Sequence, residues 1–367
     1  MRLAIAGLGG WGRNWATLIQ TTGEDEIVDI IDPSAVSREW ATKNIGLSTS
    51  HVHSDLAVGL AASDADGVLV LTPPDTHRAG AEAAMAAGIH ALIEKPVSTN
   101  IADARAVIAA AGRTGLTAMV SQNYRYSRPA RRIRDLILGG GIGDVLSVRN
   151  AYRRNFRLHL AAGDFRWKMP DPLLFDMSIH HFDLLRAMTG QEPVRVDART
   201  WDVGDIAFEQ PASAVAIMTL ANGGTYAYDG DWATHDAPLP WPGTWNIVGS
   251  KGQIQWDGEG RDGEAFSLTV RSWDGTTTTT DYRANGIDSR LGSLAEFRDA
   301  IANRTEPETS ARDNLNSLAT VLTAVESSGR KEPVDLAEIL GTEVISSDAV
   351  EARDRAGQGA RHPRRQP

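Results

Sequence analysis

Short, nearly continuous hydrophobic runs recur through the first 122 residues of the chain. They are Leu3–Ala6, Ile27–Ile31, Gly67–Leu71, Ile89–Ile93 and Thr117–Val120. Alanine-rich segments with helical spacing lie between them, as at Thr76–Ala87 and Ile101–Ala111. Runs that do not alternate with polar residues are typical of strands buried on both faces, and intervening helices favour a parallel sheet. Residues 1–122 are therefore predicted to form a doubly wound α/β domain.

The pattern changes after Gln122. A basic amphipathic segment, Arg128–Leu138, precedes three glycines, which predicts a helix and its end. Strand-like stretches separated by Gly, Asn and Asp turns follow at Val145–Arg153, Val194–Trp201, Ala212–Leu220, Thr225–Trp232, Thr244–Gly249 and Phe266–Arg271. Such strands favour a large, mostly antiparallel sheet. With two closing helices near Leu291–Ala302 and Ala311–Ser327, residues 123–340 are predicted to form a second α/β domain. Residues 341–367 are polar and rich in Gly and Arg, which predicts a mobile tail.

Composition narrows the classes of function. The chain has 47 acidic and 37 basic residues and a net charge of −10, which argues against nucleic acid as a partner. It contains no cysteine, so disulfides, thiolate nucleophiles and cysteine zinc sites are excluded. The hydrophobic runs are too short to span a membrane, and glycines interrupt the first run before it can serve as a signal peptide. A cytoplasmic protein is expected.

A glycine-rich loop, Gly7-Leu8-Gly9-Gly10-Trp11-Gly12, directly follows the first hydrophobic run. In this context Gly7 permits a tight turn, Gly9 allows close approach of a pyrophosphate, and Gly12 allows close helix–strand packing. Asp32 lies 20 residues beyond Gly12, where a carboxylate binds a ribose diol and repels a 2′-phosphate. The pattern predicts NAD as the cofactor, while Arg38 leaves NADP possible.

Two further clusters follow predicted strands of the first domain, at the sheet edge where ligands bind. The first is Thr72-Pro73-Pro74-Asp75-Thr76-His77, and the second is Glu94-Lys95-Pro96. Turn and helix-capping chemistry would equally explain the first cluster. Glu94 and Lys95 could equally be a simple surface pair.

A predicted helix, Leu173–Met188, carries Asp176, His180 and Asp183 at i, i+4 and i+7, which places them on one stripe. The rest of its circumference is mostly hydrophobic, so the helix should be buried and its polar stripe should face a cleft or a hydrogen-bonded network. Asp176 and His180 suit an acid/base pair in which the carboxylate supports the imidazole. A metal site, for which no third ligand is evident nearby, and a structural histidine are the alternatives.

Taken together, these motifs resemble the glucose–fructose oxidoreductase/inositol dehydrogenase (Gfo/Idh/MocA) family over about residues 1–340. The resemblance rests on the Gly7–Gly12 loop, Thr72–His77, Glu94-Lys95-Pro96, Gln122–Tyr126, Phe165-Arg166-Trp167, Asp176–His180 and Trp245–Gly252. It implies a Rossmann domain, a second α/β domain whose open antiparallel sheet forms a homodimer or homotetramer, and a cofactor between the two. One difference is Pro170-Asp171-Pro172, which stands where many relatives have a small Gly-rich turn.

The resemblance also implies roles for individual residues. Lys95 would lie beside the nicotinamide and the reacting oxygen, Asp176 would position the substrate, and His180 would be the principal proton-transfer group. The cofactor-binding residues would be Gly7, Gly9, Gly10, Trp11, Gly12, Asp32, Thr72, Pro73, Pro74, His77, Glu94, Lys95 and Gln122. The substrate-binding residues would be Lys95, Arg125, Arg166, Trp167, Asp176, His180 and His181.

The function expected from these residues is an NAD(P)-dependent oxidoreductase that acts on a sugar, a sugar derivative or a cyclitol. One alternative is an NAD-dependent glycosidase that oxidises its substrate only transiently, which net NADH turnover would distinguish. Another is a non-catalytic regulator that senses the cofactor. Trp232, Trp241 and Trp245 bracket residues 234–240, where indole rings could stack on a sugar or simply pack the sheet.

Overall fold

The computed structural model describes residues 1–161, 163–202, 208–235, 237–259, 265–283 and 286–341. The predicted tail beyond Gly341 and Asp236 of the tryptophan-flanked segment lie outside the described residues. No helix in these ranges is long and apolar enough to cross a membrane.

The first sheet has six parallel strands in the order β3-β2-β1-β4-β5-β6, which confirms the predicted doubly wound domain. The strands are β1 Arg2–Ala6, β2 Glu26–Ile31, β3 Val52–His53, β4 Gly67–Val70, β5 His90–Ile93 and β6 Ala118–Val120. Their residues are almost entirely buried, as expected for strands that are covered on both faces.

The second sheet has nine strands in the order β14-β13-β12-β11-β7-β10-β9-β8-β15. Every neighbouring pair is antiparallel except β7 with β10, so the predicted mostly antiparallel sheet is confirmed. The strands are β7 Val145–Arg153, β8 Pro193–Trp201, β9 Ser213–Leu220, β10 Thr225–Asp231, β11 Thr244–Gly249, β12 Gly252–Glu259, β13 Ala265–Ser272, β14 Thr277–Arg283 and β15 Val334–Asp335.

Ten α-helices are present in the described ranges. They are α1 Gly10–Thr22, α2 Ala35–Asn44, α3 Leu56–Ala62, α4 His77–Ala86, α5 Ile101–Thr114, α6 Arg128–Leu138, α7 Ile179–Thr189, α8 Gly286–Asn303, α9 Ala311–Arg330 and α10 Leu336–Leu340. The predicted single helix over Leu173–Met188 is wrong in its first part, because a π-helical turn occupies Leu173–Ser178 before α7 begins. A π turn holds more residues than an α turn, so it changes the direction of the side chains that precede α7.

Helices from the end of the chain return to the first sheet. In α8, Leu294 and Phe297 join the hydrophobic core on one face of that sheet. In α9, Leu318 packs into the core on the other face, while Val321 belongs to the core of the second sheet. Because α9 is part of both cores, the two sheets are packed together and not merely joined by a linker.

Candidate active site

The glycine-rich loop connects β1 to α1. Gly7 has a φ of +95°, and a Cβ atom added there would lie 2.7 Å from the backbone of Leu71. A Cβ atom on Gly12 would lie 2.1 Å from the carbonyl oxygen of Gly7. Both positions therefore require glycine. At Gly9 and Gly10, by contrast, an added Cβ atom would meet nothing within 4 Å, so the loop presents an open backbone surface.

The start of α1 fits an anionic group. Its N-cap residue, Gly9, supplies no side-chain hydrogen bond, and its first turn contains no acidic residue. Free N–H groups and the positive end of the helix dipole favour a phosphate at such a position. The residues present therefore fit the pyrophosphate of a dinucleotide.

Asp32 lies directly after β2 and faces this loop. Its carboxylate oxygens accept hydrogen bonds from the N–H groups of Leu8 (2.6 Å) and Ser34 (2.8 Å). Arg38 donates from Nη1 to the backbone carbonyls of Asp32 (2.9 Å) and Pro33 (2.8 Å). Asp32 thus fixes the glycine-rich loop, and the guanidinium of Arg38 is bound to the backbone beside it.

His77 connects the segments that follow β4 and β5. Its Nδ1 lies 2.7 Å from the carbonyl oxygen of Pro96, and its Nε2 lies 2.8 Å from that of Thr72. The side chain is fully buried, and this burial lowers the pKa of His77. His77 therefore links Thr72 to Pro96 and holds these two segments together at the carboxyl edge of the first sheet.

Trp11 and Glu94 form a bridge across the carboxyl edge of the first sheet. The Trp11 indole donates from Nε1 to Oε2 of Glu94 at 3.0 Å. Trp11 follows β1 and Glu94 follows β5, so the bond passes over the end of β4, which lies between those strands. Burial raises the pKa of Glu94. Gln122 follows β6, the neighbour of β5 in the sheet, and has a buried side-chain amide with no hydrogen-bond partner among the described residues.

Lys95 and Asp176 bring the two halves of the chain together. Nζ of Lys95 donates to Oδ1 (2.5 Å) and to the backbone oxygen (2.6 Å) of Asp176. The other carboxylate oxygen, Oδ2, accepts a 2.6 Å hydrogen bond from Nε of Arg166. Burial alone would raise the pKa of Asp176, but the charges of Lys95 and Arg166 outweigh it and hold that pKa well below its usual value. Asp176 is therefore ionised at neutral pH.

His180 lies four residues further along, in the first turn of α7. Its ring stacks on Tyr124, with centroids 4.2 Å apart and an interplanar angle of 15°. Burial lowers the pKa of His180 well below its ordinary value, and the charge of Lys95 lowers it further. At neutral pH the imidazole is therefore uncharged and can accept a proton.

The predicted hydrogen-bonded pair of Asp176 and His180 is not formed. Both Asp176 oxygens bind Lys95 and Arg166, and Nδ1 of His180 has no hydrogen-bond partner among the described residues. The π-helical turn explains the difference, because it turns the Asp176 side chain out of the α-helical register that the i, i+4 spacing assumes.

Arg125 and Asp183 form a separate buried network, which corrects the prediction that Arg125 lines the substrate cleft. The Arg125 guanidinium donates to both carboxylate oxygens of Asp183 at 2.6 Å and to Asp313 at 2.7 Å. Asp183 also accepts a hydrogen bond from Ser317 of α9. These residues hold α7 against α9, so Asp183 supports the helix that carries His180 and does not face the cleft.

His181 is also corrected from the substrate-binding set. It is fully buried between α7 and the second sheet, with Nδ1 3.2 Å from the Tyr228 hydroxyl and Nε2 3.0 Å from the carbonyl oxygen of Trp241. Burial lowers its pKa to about 4. His181 therefore contributes to packing beneath the site.

The tryptophans have mixed roles. Trp232 and Trp245 are buried in the core of the second sheet, whereas Trp241 is partly exposed and stacks under the Arg154 guanidinium at 4.3 Å. Trp167 is also partly exposed, and its indole donates to the carbonyl oxygen of Ala161. Packing thus accounts for Trp232 and Trp245.

Tyr124 stacks on His180, a contact that the spacing of residues along the sequence could not predict. Nothing in its sequence position relates it to a helix that begins more than fifty residues later. Its signals are its place just beyond β6, at the carboxyl edge of the first sheet, and its membership of the Gln122–Tyr126 motif in the family resemblance. Among the described residues, no group of three or more His, Asp or Glu side chains could hold a metal ion.

Two family profiles match the chain. The first, described as an oxidoreductase family with an NAD-binding Rossmann fold (GFO_IDH_MocA), matches residues 1–122. The second, described as a GFO/IDH/MocA C-terminal domain, matches residues 130–255.

Individual relatives agree with these profiles over most of the chain. A D-apiose dehydrogenase from Paraburkholderia graminis is 26% identical, with coverage of 87% of this chain and 85% of the relative. An inositol 2-dehydrogenase from Rhizobium meliloti is 25% identical, with coverage of 92% and 99%. The fold is similar to that of an Agrobacterium radiobacter oxidoreductase crystallised with NAD+, L-tartaric acid and magnesium. That structure has a TM-score of 0.84 and 24% identity and covers 93% of this chain and 99% of its own.

Proposed function

Because the chain belongs to the GFO/IDH/MocA family of NAD-binding oxidoreductases, we propose that it oxidises or reduces one carbon of a sugar, a sugar derivative or a cyclitol. The observation that carries this proposal is the meeting of Lys95, Asp176 and His180 at the carboxyl edge of the Rossmann sheet. The relatives named D-apiose dehydrogenase and inositol 2-dehydrogenase support a polyhydroxylated substrate.

The proposed mechanism divides the work among three residues. The bound nicotinamide supplies the hydride acceptor or donor. In the oxidative direction, neutral His180 accepts the hydroxyl proton of the substrate. The ammonium group of Lys95 stabilises the negative charge that develops on the same oxygen, and a partly buried site strengthens this effect. Asp176 holds Lys95 in position, while Arg166 fixes the second oxygen of Asp176.

The proposed cofactor preference is NAD over NADP. A carboxylate at Asp32 disfavours a 2′-phosphate by charge repulsion. Arg38 is the neighbouring cation that could offset this repulsion, but its Nη1 is bound to two backbone carbonyls. Trp11, Glu94 and Gln122 are proposed to line the remainder of the cofactor site, and Trp167 the substrate cleft.

The open face of the second sheet is proposed to join copies of the chain into a homodimer or homotetramer. On β9, Val215 and Ile217 point outward and are 40% and 62% exposed. Large apolar side chains exposed on a sheet face favour association with another apolar surface.

A substrate screen tests the proposed function directly. Purified protein is incubated with aldoses, cyclitols and glycosides in the presence of NAD or NADP, while NADH absorbance and products are followed. We expect stoichiometric NADH formation with a sugar or cyclitol and a higher kcat/KM with NAD than with NADP. Cleavage of a glycoside without net NADH formation would instead identify a glycosidase, and equal use of NADP would contradict the role given to Asp32.

A further inference from the structure

An arginine from the second half of the chain reaches the glycine-rich loop. Arg290 lies near the start of α8, and its guanidinium carbon is 5.0 Å from the centroid of the Trp11 ring and 5.8 Å from that of Trp15. The same guanidinium donates a hydrogen bond to Oδ1 of Asn14. Trp11, Asn14 and Trp15 all belong to the first turns of α1. Arg290 therefore lies beside the helix end that fits a phosphate.

Among the described residues, Arg290 forms no ion pair or hydrogen bond with a carboxylate. Its hydrogen bond goes to a neutral amide, and its ring contacts are with uncharged indoles. The carboxylate of Glu94 interacts with Arg290 only electrostatically, and it accepts a hydrogen bond from Trp11. Cation–π contacts are weaker than a charge-assisted hydrogen bond between a guanidinium and a phosphate. A phosphate placed on the loop would thus be a better partner than those present.

We propose that Arg290 binds the pyrophosphate of the dinucleotide. The planar guanidinium presents several N–H donors in a fixed fork, which suits oxygens of one or both phosphates. The Rossmann domain then provides the backbone N–H groups of the loop, and α8 provides the cation. This inference rests on the proposed use of NAD, and it adds a cofactor contact from outside the first 122 residues.

Calorimetric titration with a graded set of ligands tests the proposal. NADH and ADP-ribose contain the pyrophosphate, whereas adenosine does not. In Arg290→Met we expect the Kd for NADH and ADP-ribose to rise about 10- to 100-fold, as for the loss of a charged hydrogen bond. The Kd for adenosine should stay within about twofold, since an uncharged ligand does not use this contact. Arg290→Lys, which keeps the charge but loses the fork, should lie between wild type and Arg290→Met.

A second arginine of α8 provides the matched control. Arg298 binds Glu24 and Asp25 at the other end of the helix. Arg298→Met should leave all three Kd values unchanged, even if it lowers the melting temperature. Unchanged NADH affinity in Arg290→Met would overturn the proposal, and so would an equal loss for adenosine and ADP-ribose, because that pattern indicates a structural role. If wild type itself bound no NADH, the proposed cofactor would fail together with this inference.

Discussion

At the scale of single residues, the ion pair of Lys95 and Asp176 joins the two halves of the candidate site. Replacing Lys95 with Met keeps most of the side-chain length but removes the charge next to the proposed reacting oxygen. We expect kcat to fall by about 100-fold or more, as for loss of a strong electrostatic stabiliser. Arg166 still binds Asp176 in this variant, so the far-UV circular dichroism should match that of wild type.

Lys168 offers a control for this substitution. It is close in sequence to the site, but its side chain is 78% exposed and pairs only loosely with Glu209 at 3.7 Å. Lys168→Met should therefore retain near-normal kcat. Normal turnover in Lys95→Met as well would show that Lys95 only supports the fold.

His180 gives a prediction about pH. A base must be neutral to accept a proton, and burial lowers the pKa of His180 below its ordinary value of 6.5. In the oxidative direction kcat/KM should therefore be constant around neutral pH and fall only at acidic pH, with a midpoint below 6.5. His180→Gln should lower kcat/KM by about 100-fold or more and remove this acidic decline.

In the same experiment, Asp176→Asn should shift the acidic decline in kcat/KM along the pH axis. The charge of Asp176 raises the pKa of His180, so its removal should move the acidic decline to still lower pH. The measurement is kcat/KM against pH for wild type and both variants. An acidic decline that persists unchanged in His180→Gln would assign the proton transfer to another group, of which Tyr124 is the nearest aromatic neighbour.

At the scale of secondary-structure elements, hydrophobic patterning predicted the central strands well, because each buried strand must carry an apolar run. Helix α6 and strands β7 and β11 have the predicted bounds. The pattern missed β12, it missed β14, whose sequence is dominated by exposed threonines, and it missed the two-residue strands β3 and β15. The strands β3, β14 and β15 bury too little apolar surface to leave a periodic signal. In β12, by contrast, the buried Ile254 and Trp256 do alternate with polar residues.

The candidate site was predictable where it depends on local sequence and unpredictable where it depends on helix register. The loop at Gly7 and Gly12 follows from backbone sterics, which act between near neighbours. The partners of Asp176 depend on a π-helical turn, and the spacing of polar residues cannot distinguish it from an α turn. The pairing of Arg125 with Asp183 depends on packing between distant segments.

The loop between β1 and α1 supports a paired prediction. An added methyl group on Gly12 collides with the Gly7 carbonyl oxygen, so Gly12→Ala should destabilise the protein by about 1–3 kcal/mol and lower its melting temperature. A methyl group on Gly10 meets open space, so Gly10→Ala should melt like wild type yet bind NADH more weakly. Calorimetric melting and NADH titration test both variants, and tight NADH binding by Gly10→Ala would argue against phosphate approach at this loop.

At the scale of the whole molecule, the exposed face of the second sheet predicts the assembly state. Ile217→Asp places a charge on the proposed interface and should shift the mass measured by light scattering toward the monomer. Val58→Asp changes an equally exposed residue on α3, outside that sheet, and should leave the mass unchanged. A wild-type protein that is already monomeric would contradict the proposed interface.

Because α8 and α9 complete the core around the first sheet, the first 122 residues do not contain all of their own hydrophobic interior. Phe297 even approaches Gly67 so closely that a Cβ atom there would lie 2.7 Å from its ring. A chimera made from two relatives must therefore preserve contacts between the first 122 residues and helices that come much later in the chain. A chimera that exchanges residues 1–122 alone would pair each parent's strands with foreign helices. One that exchanges the N-terminal segment together with residues 286–341 would keep the first sheet with its own α8 and α9, but α9 would then pack its Val321 side against a foreign second sheet.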